Sequence, residues 1–177
     1  MSRVYAMPLL FRLGDMEILI HPTVLLDDDG FVMVDCGYPH FIPEIEAGLE
    51  KIGLSLDGLR KIVITHHDHD HMGAAREIVE RYPDVEILCS PEQLPYVTGQ
   101  SKSLRLIQAE QVQDSLPESE KEAGLAFQRF IAGVKTVESA GAVDVGAILP
   151  WCGGVEVVAT RGHMSGHFSL YAREVTT

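Results

Sequence analysis

Between Lys61 and Ala74 the chain reads Lys-Ile-Val-Ile-Thr-His-His-Asp-His-Asp-His-Met-Gly-Ala, with four of its eight histidines and two aspartates in the six positions from His66 to His71. Imidazoles and carboxylates crowded this closely would repel or desolvate one another without a cation. Neutral imidazole and carboxylate are also the donors that zinc and similar metals take. The chemistry to expect is metal binding. In an extended segment His66, Asp68 and Asp70 project to one side, and a turn into a helix brings His71 toward the same point. Two such donor sets would hold adjacent metals that clamp the attacking and leaving oxygens of a hydrolysis. The plainer alternative is a solvated loop capping a helix at Met72, with Asp70 as its N-terminal anion, but capping needs one such residue rather than six.

The elements around the cluster suit a positioning role. Lys61 to Thr65 is a short β-branched run, Met72 to Tyr82 has the composition of a helix ended by Pro83, and Val85 to Cys89 reads as the next strand. Strand, loop, helix, strand predicts α/β layering with the cluster at the strand ends. Upstream, Val4 to Phe11, Met16 to Ile20, Pro22 to Leu26 and Phe31 to Asp35 read as strands, the last two joined by a turn at Asp27 to Gly30. An antiparallel meander is their simplest topology. Pro43 to Ile52 has apolar residues at helical spacing and Gly53 as its stop. Glu118 to Val134 predicts an amphipathic helix within a helical insert at about 100–140. Periodicity alone makes packing of Phe127 and Phe130 on the domain a simpler role than a lid over the site. Ala147 to Pro150 and Val155 to Thr160 read as strands around Cys152-Gly153-Gly154.

Thr65-His66-His67-Asp68-His69-Asp70-His71-Met72-Gly73 resembles the metallo-β-lactamase superfamily signature His-x-His-x-Asp-His, with Asp68 in place of the second histidine. Arg161-Gly162-His163-Met164-Ser165-Gly166-His167-Phe168-Ser169-Leu170-Tyr171 resembles the later Pro-Gly-His-Thr-x-Gly block, with Arg161 in place of proline. Pro95 to Gly99 is similar to a short Pro-Tyr-hydrophobic-x-Gly pattern of one bacterial subgroup. The resemblance implies an αββα sandwich and a metal-dependent hydrolase of an ester, thioester, lactone or lactam-type bond. It implies that His66, Asp68 and His163 hold a first metal and that Asp70 and His71 contribute to a second, with Asp70 also orienting the nucleophile and accepting its proton. Asp35, at the end of its strand, and His167 would stand behind the ligands. One or two zinc ions are the implied cofactor, and the harder carboxylate of Asp68 opens the site to iron or manganese.

The family's bridging aspartate and final histidine do not follow the His163 block before Thr177. The expectation is a C-terminally incomplete sandwich with a mononuclear or half-formed site, or a fragment of a longer dinuclear enzyme. Missing strands would leave a sheet edge uncovered, so a homo-oligomer is expected. From another class, a metal-binding or interaction domain without turnover would also keep this fold. At 177 residues a single domain over 1–177 is expected. A net charge of -12 argues against nucleic acid as a partner and leaves a small-molecule substrate. Cys36, Cys89 and Cys152 match no zinc-finger spacing and read as reduced thiols. No run approaches membrane-spanning length and no signal peptide is recognisable, so a cytoplasmic location away from membranes is expected.

Overall fold

The structure, a computed structural model, describes residues 3–13 and 16–173, so Gly14 and Asp15, in the break between the strands expected at Val4 to Phe11 and Met16 to Ile20, lie outside the described residues. In chain order come β1 (Arg3–Ala6), β2 (Leu9–Leu13), β3 (Met16–Ile20), β4 (Thr23–Asp27), β5 (Gly30–Val34), α1 (Ile42–Glu50), β6 (Leu59–Val63), α2 (Ala75–Arg81) and β7 (Glu86–Cys89). Then follow α3 (Leu94–Val97), α4 (Leu104–Val112), α5 (Glu118–Ala132), β8 (Gly141–Ala142), β9 (Ile148–Leu149), β10 (Val155–Ala159) and β11 (Phe168–Ala172).

The main sheet has the order β1-β4-β5-β6-β7-β8. β1, β4 and β5 pair antiparallel, whereas β5 through β8 run parallel, with α1 and α2 as the crossovers that parallel neighbours need. A second, antiparallel sheet has the order β11-β10-β9. Residues of β5 bury on both sides. Met33 joins Ile62, Ile87, Ile45, Leu49 and Ile78 in a core between sheet and helices, while Val32 joins Val63, Val155, Val157 and Phe168 in a core between the two sheets. Helix, sheet, sheet are three of the four layers of the αββα sandwich, as expected for an incomplete one. Its outer face is exposed at Val158 and Tyr171 among the described residues.

The single N-terminal meander is not formed. Pro8, which has no N–H to donate, divides the run expected from Val4 to Phe11. β1 pairs with β4 rather than with β2, and β2 and β3 form a separate ribbon. That ribbon packs on α1, where a Cβ on Gly48 would lie 3.2 Å from Leu9 Cδ2. Phe11, from the same ribbon, stacks on Tyr38 at 4.0 Å.

α2 also begins three residues later than expected, at Ala75. A Cβ on Gly73 would lie 2.4 Å from His69 O, Pro39 N and Tyr38 C, so the loop after β6 is pressed against the loop after β5. The Cys36 N–H donates to His71 O at 2.8 Å across that contact. The helix starts only past this contact. Its N-cap is Ala74, with no side-chain cap, so Asp70 does not cap it. In the insert, α5 forms close to its expected bounds, whereas α4, whose apolar spacing is weak, was not anticipated.

Candidate metal centre

The loop between β6 and α2 is built on Asp35. This residue leaves β5 in the left-handed region, φ 61°, which aspartate tolerates better than most side chains. Its carboxylate accepts from the Thr65 N–H at 2.8 Å and the Thr65 hydroxyl at 2.9 Å, and pairs with His71 Nδ1 at 2.7 Å. Binding Nδ1 in this way leaves His71 Nε2 to face Asp70, 3.6 Å from Oδ2. Burial alone would lower the His71 pKa, but the hydrogen bond and charge of Asp35 outweigh it and raise the value.

Beside that pair, His66, Asp68 and His163 converge. His163 Nε2 lies 3.1 Å from His66 Nε2 and 3.2 Å from Asp68 Oδ2, and the remaining side of the triangle is 3.6 Å. Donors bound tetrahedrally at about 2.0–2.1 Å from zinc stand about 3.3 Å from one another, so the triangle has the dimensions of one face of such a site. Burial lowers the His66 pKa, which favours the neutral imidazole a metal requires. Burial would raise the Asp68 pKa, but the adjacent His66 imidazole and the hydrogen bond and charge of Arg105 hold it far below the usual carboxylate range. Asp68 Oδ1 is buried with no hydrogen-bond partner, so the carboxylate has an oxygen to spare for a cation even while Oδ2 is engaged. The donor set therefore fits a metal ion.

The His163 loop is fastened to this centre by the turn after β7. Gln93, fully buried, accepts the His67 N–H at 2.8 Å and His67 Nδ1–H at 2.6 Å, and donates Nε2–H to Ser165 O at 2.6 Å. Ser90 Oγ–H donates to Gly166 O at 2.8 Å, and a Cβ on Gly166 would lie 2.6 Å from Glu92 Cβ. His67 thus points away from the triangle, stacked on Tyr96 at 4.3 Å, with its Nε2 accepting the Leu104 N–H. From α4, Arg105 Nη2–H donates to Asp68 Oδ2 at 2.8 Å.

Of the residues singled out in the sequence, the structure brings His66, Asp68 and His163 into one three-donor group. Asp70 and His71 form an adjacent pair outside that group, and Asp35 braces His71 and Thr65 from below. His167 donates Nδ1–H to Thr160 O at 2.8 Å, with its ring 4.9 Å from His66. Arg161 is exposed beside the His163 loop. Thr65, Gln93 and Arg105 were missed. Thr65 directly precedes the motif and could have been flagged, but no local pattern marks Gln93 or Arg105.

Residues 18–176 match the model of the metallo-beta-lactamase superfamily, and the chain belongs to that superfamily. The chain is 29% identical over 151 residues to a probable metallo-hydrolase, YflN, of Bacillus subtilis, covering 80% of this chain and 50% of that protein. It is 38% identical over 72 residues to the hydroxyacylglutathione hydrolase of Aliivibrio salmonicida, covering 41% of this chain and 26% of the relative. A metallo-beta-lactamase family protein of Thermus thermophilus superposes with a TM-score of 0.69 at 18% identity, over 96% of this chain and 55% of that one. A subclass B3 metallo-beta-lactamase of Bradyrhizobium japonicum gives 0.65 at 17%, over 96% and 53%. The chain spans half or less of the length of the curated relatives it matches.

Proposed function

We propose that this chain carries the metal-binding part of a hydrolase that cleaves an ester, thioester, lactone or lactam-type bond. The observation that carries this reading is the His66, Asp68 and His163 triangle, with donor separations of 3.1 to 3.6 Å. These three residues would hold a first metal, zinc or, given the carboxylate, iron or manganese. Asp70 and His71 would contribute to a second. When bound, the metal supplies Lewis acidity that activates water at neutral pH and polarises a carbonyl. Asp70, part-exposed beside the triangle, orients the nucleophilic water and takes its proton. Asp35 fixes which nitrogen of His71 faces Asp70, and His167 packs behind His66. Similarity to hydroxyacylglutathione hydrolases supports a thioester or ester among the bond types. The net charge of -12 favours a small-molecule substrate over nucleic acid.

No helix among the described residues is long and apolar enough to cross a membrane. A cytoplasmic location, one domain over 1–177 and self-association complete the reading. The test is metal per chain by elemental analysis of protein purified without chelator, together with turnover of ester and thioester substrates. Asp70→Asn should lower kcat by about 100-fold or more while leaving the melting temperature within a few degrees. Tight metal binding without turnover of any substrate would instead assign a non-catalytic metal-binding domain.

A further inference from the structure

We propose that the groove between α4 and α5 binds the apolar acyl chain of a small carboxylic ester or thioester whose carbonyl lies at the metal centre. This rests on the hydrolase reading above. The groove encloses about 440 Å³, within the range of about 300–1,000 Å³ typical of small-molecule sites. Ala109, Val112 and Leu116 form one wall and Ala123 and Phe127 the other. Val112 is 49% and Phe127 39% exposed, so these apolar side chains border a concavity that none of the described residues fills.

The walls are tied to each other at the base of the groove. A Cβ on Gly124 would lie 2.6 Å from Leu116 Cδ1 and 2.5 Å from Gln113 Oε1, so the chain approaches itself closely there. Gln128 Nε2–H donates to Gln113 Oε1 at 2.7 Å, and Gln113 Nε2–H to Lys121 O at 3.0 Å. The concavity is therefore preformed, which reduces the ordering cost of filling it.

Two residues join the groove to the metal centre. Arg105 lines it and donates to Asp68 Oδ2, and Phe127 lines it while standing edge-on to His69 with ring centroids 5.7 Å apart. An acyl group whose carbonyl lies at the triangle beside Arg105 can extend its chain between the helices that Arg105 and Phe127 border. Arg105 and Glu120 are the charged residues of the lining, so the rest suits a neutral aliphatic chain and not a polyanion.

The test is titration calorimetry of the purified chain with sodium octanoate and sodium acetate, alongside hydrolysis of acetyl and octanoyl esters. Each buried methylene contributes about a fourfold factor, so burying three makes octanoate bind about 60-fold more tightly than acetate. Ala123→Trp and Ala109→Trp, which fill the groove from opposite walls, should each abolish most of that ratio. Octanoate binding that is lost in these variants, without turnover of either ester, keeps the groove and removes the hydrolase reading. Ester turnover independent of acyl length, with octanoate no tighter than acetate, removes the groove and keeps hydrolysis. Absence of octanoate binding with a dimer that Ala123→Trp dissociates assigns the groove to a second copy and overturns the proposal. The wild-type comparison decides even if a variant fails to fold.

Discussion

Gln93 shows how one side chain can hold a site to which it contributes no ligand. It satisfies the backbone and ring of His67 and, on its other end, the Ser165 carbonyl two residues past His163. Because Gln93 and His67 are both buried, truncation leaves the His67 N–H and ring without a partner. Gln93→Ala should destabilise the protein by about 2–4 kcal/mol in urea unfolding. It should also weaken metal affinity by about 10–100-fold, the usual effect of losing a group that orients ligands. Gln93→Glu separates the two functions, since it can still accept from His67 but cannot donate to Ser165 as a carboxylate. Unchanged metal affinity in both variants would show that His163 is held in place by other contacts.

At the scale of the element, the loop from His66 to His71 makes stability depend on pH in a direction the geometry fixes. Burial lowers the pKa of His66, His67 and His69. In the metal-free protein these imidazoles stay neutral in the fold while the unfolded chain takes up protons near about pH 6.5. Their contribution is present above that value and is lost as the pH falls below it, with a limiting slope of about 1.4 kcal/mol per pH unit for each. His71 acts in the opposite sense. Its raised folded pKa stabilises below about 6.5, and that contribution disappears as the pH rises through the folded value. Stability of metal-free protein should therefore decline from about pH 6.5 to 5.5, measured by urea unfolding in the presence of chelator. A flat profile over that interval would contradict neutral burial of the three imidazoles.

For the whole molecule, the second sheet bears on assembly. Among the described residues β11 pairs with β10 alone, and Val158, Tyr171 and Ile148 expose apolar surface at 37%, 57% and 61%. An unpaired strand edge beside an apolar face is a template for another copy. Self-association should appear as a dimer in sedimentation velocity at micromolar concentration, and Tyr171→Lys, which charges the strand beside that edge, should shift it to monomer. A monomer at all concentrations would show that this face is tolerated in water. The net charge of -12 opposes close approach of two copies, so added salt should strengthen the dimer.

The local sequence was enough to read the metal-loop strand, the helix after it, the following strand, and the His66, Asp68 and glycine-flanked His163 that the structure brings into one group. Short-range patterning and metal chemistry both demand particular residue types at particular spacings, and those leave a mark in the chain. The same alternation predicted α/β layering, and the resemblance to the superfamily implied the sandwich. What the tertiary structure decided depends on contacts between distant positions. Gln93 is 26 residues from His67 and 72 from Ser165, and Arg105 is 37 from Asp68. A glutamine or an arginine in isolation looks like surface, and only burial against a partner gives it a role. The exit of β2 and β3 from the main sheet, the delayed start of α2 against the Tyr38-Pro39 backbone and the groove between α4 and α5 have the same origin. Each is fixed by which surfaces meet when the layers close, a choice no short stretch of sequence makes alone.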